Sequence, residues 1–120
     1  MGSVQSRQGA NRLLRVRNGQ TPVAVKVAFL PPAQSELDEA VAWYNRQAAG
    51  LGREFLDELD RAVRRAIAFP LSYPEIERGI RRCRLARFPY GVIYGIDGES
   101  LVVVAVAHLH RRPRYWIDRI

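Results

Sequence analysis

The apolar positions change period along the chain, and the changes mark its elements. From Ala33 they fall at Ala33, Leu37, Ala40, Val41, Tyr44 and Ala48. A second set runs through Phe55, Leu56, Leu59, Ala62, Val63, Ala66, Ile67 and Phe69. Spacings of three and four put each set on one face of a helix. Pro32 suits the first position of the first helix, where an N–H would lack a partner, and Glu36, Asp38 and Glu39 follow where the helix dipole favours anions. Gly50-Leu51-Gly52 ends that helix in the manner of a glycine C-cap, and Pro70 stops the second. The two together predict an amphipathic helical hairpin.

On either side of the hairpin the pattern is that of strands. Val23 to Leu30 is β-branched and apolar until Pro31-Pro32 stops it. Beyond the turn-rich connector Pro70 to Pro74, strands are predicted over Ile80 to Phe88, Tyr90 to Ile96 and Leu101 to His108. Asp97-Gly98-Glu99-Ser100 supplies a hairpin signal between the last two. The order is one N-terminal strand, an α-helical hairpin, a three-stranded antiparallel meander, and Pro113 to Ile120 as a short C-terminal helix or tail. That order predicts an α+β fold with the hairpin packed on one sheet face. Because successive side chains leave opposite faces of a sheet, Cys83 and Leu85 are expected under the helices, with Arg82 and Arg84 on the open face. In the last strand Val102, Val104, Val106, His108 and His110 form one set, placed away from the helices. A three-valine patch there asks for a cover: another protein, the chain's own N-terminal arm, or a second copy.

Composition narrows the function classes. The 120 residues are 48% apolar, enough for one ordinary core. Residues 1–21 read as a flexible basic arm, too polar to offset the cost of ordering, and 22–120 as the single folded domain. Net charge is +7, and all basic residues but Lys26 are arginine. The charge is segregated: residues 31–60 carry two basic and seven acidic side chains, and 61–120 twelve basic and five acidic. A cationic sheet face opposite an acidic helical stretch fits nucleic acid or an acidic protein surface. Arginine suits phosphate because its planar fork bonds two oxygens at once. Cys83, the single cysteine, excludes an intrachain disulfide and argues for a reducing compartment. No metal site is expected from one cysteine and two histidines, and neither a membrane span nor a signal peptide is present, so the chain is expected in the cytoplasm.

An ordered set of short segments resembles the RelE/ParE superfamily of toxins from type II toxin–antitoxin and plasmid-stabilisation systems. The segments are Phe29-x-Pro-x-Ala33, Leu37-x-x-Ala40-x-x-Trp43-Tyr44, Gly50-Leu51-Gly52 with Phe55-Leu56, and Pro70-x-x-Tyr73-Pro74. They continue through Ile80-Arg81-Arg82-Cys83-Arg84-Leu85, Arg87-Phe88-Pro89-Tyr90-x-Val92-Ile93-Tyr94, and His108-x-x-Arg111-Arg112-Pro113-x-Tyr115-Trp116. The resemblance covers residues 23–120. It implies a small toxin without cofactor that arrests growth and is neutralised by a cognate antitoxin, whose wrapping tail would face Val102, Val104 and Val106.

The superfamily holds two activities. RelE-like members cleave mRNA on the ribosome without a metal. Here that would cast His108 or Tyr115 as the proton-transfer groups and Arg82, Arg84 and Arg112 as phosphate clamps, since cleavage needs a base, an acid and cations around the phosphorane. A histidine, with an ordinary pKa of about 6.5, suits proton transfer. The bland alternative has His108 hydrogen-bonded at the sheet edge and Tyr115-Trp116 packing the C-terminal segment. ParE-like members instead poison DNA gyrase. RNA-cleaving members often carry an arginine just after the tyrosine matching Tyr90, where this chain has Gly91, and the lysines they place on the first meander strand are missing. The missing arginine, together with the long helical hairpin and its Trp43-Tyr44 pair, leans the expectation towards gyrase inhibition or another non-nucleolytic action. On either branch Arg82, Arg84, Arg87 and Arg111 are the expected target-binding groups, for ribosome and mRNA or for gyrase. A third class, a non-toxic nucleic-acid-binding module, would use the same basic sheet with Tyr90 or Tyr94 stacking bases.

Overall fold

The computed structural model describes residues 26–120. The expected arm at 1–21 and the expected start of the first strand lie outside the described residues. The elements are β1 (Lys26–Phe29), α1 (Pro31–Gln47), α2 (Leu51–Ala68), β2 (Glu75–Glu77), β3 (Ile80–Arg84), β4 (Tyr90–Asp97) and β5 (Ser100–His108), with a final 3-10 turn at Ile117–Arg119.

The five strands form one sheet in the order β1-β5-β4-β3-β2, with β1 parallel to β5 and every other pair antiparallel. The expected α+β arrangement of strand, hairpin and meander is present. The sheet is larger than the meander because β1 joins it beside β5 and β2 adds the far edge. β2 escapes a pattern reading: its three residues, Glu-Ile-Glu, are too few to show a period.

Local chemistry explains the turns between elements. The last β1–β5 bond runs from Leu30 N–H to the Val103 carbonyl at 3.0 Å. Pro31 and Pro32 then open α1 without N–H groups to continue a ladder. Gly50, at φ 84, reverses the chain between the helices. Asp97 and Ser100 pair across the β4–β5 hairpin, leaving Gly98 at φ 62 as the first loop residue.

The main core lies between hairpin and sheet. Leu37, Ala40, Phe55, Leu59 and Ala62 from the helices meet Cys83, Leu85, Val92, Tyr94, Leu101 and Val103. Cys83 and Leu85 thus face the helices, as alternation requires. Tyr44 stacks on Phe55 with centroids 5.2 Å apart, and Phe88 meets both rings edge-on.

A second cluster covers the other face. Ile80, Ile93, Val104, Ala105 and Ala107 pack beneath Trp116, which is only 3% exposed, with Leu30, Ile76, Tyr115 and Ile117 around them. The cover over this face is therefore the chain's own C-terminal segment, an occupant outside the three expected. Arg114, at φ 61, turns the chain back onto the sheet.

The valine set also needs correction. Ile93 pairs with Ala105, but Tyr94 pairs with Val103, so Val104 is an extra residue on β5. This is a β-bulge, two residues against one, and it shifts the alternation of everything after it. Val104 lies under Trp116 while Val106 enters the main core beside the helices, each 2% exposed. Val102, Val104 and Val106 therefore do not share a face.

Candidate functional site

The C-terminal end of β5 meets two concavities. The first is a cleft of about 310 Å³ on the C-terminal side, walled by Arg82, Arg111, Arg112 and Arg114 over Ile93, Ala107, Leu109 and Trp116. Arg82 reaches it from the open face of β3, its stem crossing Gly91, where an added Cβ would sit 3.0 Å from Arg82 Cγ. Any larger residue at Gly91 would have to push that arginine aside. Arg114 is tied to Glu77 at 3.3 Å, whereas Arg82 and Arg112 enter no ion pair among the described residues.

The expected target-binding arginines do not all gather. Arg82 and Arg111 line the cleft, and the Arg111 guanidinium stacks 4.0 Å over the Tyr115 ring. Arg84 is exposed at the end of β3 and does not line it. Arg87 turns to α2, with Nε 3.4 Å from Glu58 and a terminal nitrogen 3.5 Å from Glu54.

His108, Arg112 and Tyr115 do line one cleft, but two of them are engaged elsewhere. The Tyr115 hydroxyl donates to Glu36 Oε2 at 2.8 Å. Burial, and then that bond to an anion, push the Tyr115 phenol well above its usual range. It stays protonated at any physiological pH. His108 Nδ1 accepts the His110 N–H at 3.1 Å, which leaves the ring proton on Nε2, and the ring lies edge-on to Tyr90 at 5.1 Å.

Glu36 is the hub that a reading of the pattern passes over. One carboxylate accepts the Val106 N–H at 3.0 Å, the Tyr115 hydroxyl at 2.8 Å, and Arg119 through both terminal nitrogens at 3.0 and 2.8 Å. Burial raises its pKa, but the Arg119, Val106 and Tyr115 bonds together outweigh that and hold it below the ordinary value. The helix dipole has no large part in this, because Glu36 lies beyond the first turn of α1. The sequence signal is its place between Ala33 and Leu37 and Ala40, at the margin of the apolar stripe.

The second concavity is a groove of about 690 Å³ between α1 and the end of β5. Ala40, Trp43, Tyr44 and Tyr90 give it an apolar wall, and Glu39, Arg46 and Arg111 stand on its rim. Trp43 is 49% exposed there. The loop before β4, which carries Phe88 and Pro89, is held by buried Glu58: Oε1 accepts the Ala86 N–H at 3.0 Å, and Oε2 meets Arg61 at 3.0 Å and Arg87 at 3.4 Å. Arg61 foremost, then the Ala86 and Arg87 bonds, draw the Glu58 pKa down to about 2 against the pull of burial. Among the described residues no three His, Cys, Asp or Glu side chains converge as a metal site requires, and no helix is long and apolar enough to cross a membrane.

Hairpin, mixed sheet and basic C-terminal cleft define a small toxin domain of the RelE/ParE kind. A family model described as the ParE toxin of the type II toxin–antitoxin system parDE matches residues 27–114, and the chain belongs to that family. Among solved structures it is similar to a chain of the chromosomal ParDE toxin–antitoxin system from P. aeruginosa, with TM-score 0.62 at 14% identity. That match covers 70% of this chain and 95% of the other and speaks for the fold. No curated protein matches.

Proposed function

We propose that this chain arrests growth in the cytoplasm as the toxin of a toxin–antitoxin pair, acts by inhibiting DNA gyrase without a cofactor, and is neutralised by its cognate antitoxin. The observation that carries the gyrase branch is the Tyr115–Glu36 bond of 2.8 Å. RNA cleavage would ask Tyr115 to give or take a proton, and its raised pKa together with a carboxylate already holding its hydroxyl removes it from that work. Gly91 supports the same branch. Arg82 and Arg112 then keep a binding role, towards an acidic protein surface.

The mRNA-endonuclease reading rests on one fact, that His108, Arg112 and Tyr115 share a cleft. A bare nucleic-acid-binding role would use the same arginines but predicts salt-dependent binding without growth arrest. The discriminating experiment is induced expression in a bacterial host, with primer extension on abundant mRNAs and plasmid topology read from the same culture. Intact transcripts with relaxed plasmid or gyrase-linked breaks are expected. Transcripts cut within codons, and uncut in His108→Ala, would overturn the gyrase reading.

A further inference from the structure

Gly91 stands apart from the other glycines of the described residues. Gly50, Gly79 and Gly98 need their positive φ. A Cβ on Gly52 would strike the α1 backbone, and one on Gly95 would crowd Ile80 Cδ1 at 3.0 Å and the Gly79 carbonyl at 3.3 Å. Gly91 lies inside β4, between Arg84 on β3 and Ala107 on β5, and its φ is not positive. The nearest atoms to an added Cβ there are the stem of Arg82, with Cγ at 3.0 Å and Cδ at 3.2 Å. Leu109 Cδ2 follows at an ordinary 3.6 Å. A glycine inside a strand weakens it, because it loses more freedom on folding and brings no side chain to pack. What the bare position gains in return is room for the Arg82 stem to cross β4 into the basic cleft.

Of the four arginines in that cleft, two are engaged. Arg114 meets Glu77 at 3.3 Å, and Arg111 lies over the Tyr115 ring and 4.0 Å from Glu36. Arg82 and Arg112 enter no ion pair among the described residues. Ile93, Ala107 and Trp116 are nearly closed off at the base, so half-buried Ile76 and Leu109 supply the apolar surface. Two unpaired guanidiniums beside two apolar side chains, in a concavity of about 310 Å³, suit one carboxylate next to an apolar group. A nucleic-acid backbone repeats its charge about every 3.4 Å along a strand and calls for a row of unpaired cations, which the cleft lacks.

We propose that Gly91 is a positioning residue for target binding: its missing side chain lets Arg82 reach the cleft, where Arg82 and Arg112 clasp a carboxylate flanked by an apolar side chain on gyrase. The proposal rests on the gyrase reading above. Gly91 itself meets no target and acts through Arg82.

The test measures the affinity of the full chain for purified gyrase free of DNA, at low and at moderate salt. Arg82→Ala should weaken binding by about tenfold or more and flatten its salt dependence, because a screened charge has gone. Gly91→Val should do the same, and the double variant should bind no worse than either single one. Gly91→Ala repeats the cycle should Gly91→Val fail to fold. Arg53→Ala, which removes an equal charge from exposed α2, should bind as the wild type does. A merely weakened fold would leave the salt dependence in place. Arg82→Ala with wild-type affinity and salt dependence would overturn the proposal and leave the gyrase reading standing. So would a glycine substitution that weakens binding further once Arg82 is gone. Binding that appears only with DNA and falls in Arg82→Ala would overturn it too, and assign the cleft to phosphate. A wild-type chain that leaves gyrase unbound and active would instead sink the gyrase reading, and the proposal with it.

Discussion

Two side chains, Glu58 and Tyr115, show how far chemistry departs from composition at the scale of a residue. Glu58 is 5% exposed and titrates near 2 in the folded chain, against 4.5 for a free carboxyl. Its folded pKa is depressed, so the stability it gives is fully present above pH 4.5 and is lost as pH falls towards 2. Acid unfolding of the wild type should therefore steepen in that window, and Glu58→Ala should lack that part of the slope. At neutral pH the same variant takes a charged acceptor away from the part-buried Ala86 N–H and is expected to lose about 1.5–3 kcal/mol in urea unfolding. Tyr115→Phe removes one donor to Glu36 while Arg119 stays. A loss of about 1.5–3 kcal/mol is expected, because the acceptor is charged, together with undiminished growth arrest. Arrest abolished in a variant that still folds would return Tyr115 to a catalytic role. Neither bond could be read from the sequence, since Glu58 meets Ala86 across 28 positions and Glu36 meets Tyr115 across 79.

At the scale of elements, what could be read depended on length. α1 and α2 span 17 and 18 residues, long enough for a 3.6-residue period to declare itself, and their expected faces are the packed ones except at Ala48, Leu56 and Phe69, which are exposed. β2, with three residues, could not. On β5 the alternation was sound until the bulge at Val104, which inserts one residue and moves Val106 to the helix side. A bulge leaves no mark in a run of Val-Val-Val-Ala-Val, where either register buries apolar groups. Gly52 is the opposite case, a residue whose reason lies wholly in packing. Its Cβ would fall 2.5 Å from the Val41 carbonyl oxygen and 2.6 Å from Asn45 Cγ, and Asn45 already accepts the Gly52 N–H at 2.9 Å. The carbonyl belongs to the α1 backbone and cannot swing aside, so Gly52→Ala must splay the hairpin. A stability loss of about 1–3 kcal/mol is expected in denaturant titration, whereas Gly98→Ala acts only through its positive φ.

For the whole molecule the question is what turns a two-sided sheet into a closed body. The hairpin covers one face and leaves the other to the last residues of the chain. The sequence announced the need, through a β5 apolar on both sides, but offered Tyr115-Trp116 as packing groups only as an alternative, because Pro113 to Ile120 has no period and its one deeply buried residue is Trp116. Arg114 at φ 61 brings that tryptophan back over Ile93 and Ala105, and the Glu36–Arg119 pair at 2.8 Å fixes the segment from the far side. Trp116→Ala should then behave as a core truncation although only four residues follow it, with about 3–5 kcal/mol lost. The exposed sheet face should also bind an environment-sensitive hydrophobic dye that the wild type excludes. Arg119→Ala is expected to give a milder version of the same dye response, because the segment loses its clamp but keeps its apolar contacts. A Trp116→Ala protein with wild-type denaturation midpoint and no dye binding would mean that the C-terminal segment does not close the sheet in solution. The fold would then need another cover for Ile93, Val104 and Ala107, and the face first expected to meet a partner would be open to one after all.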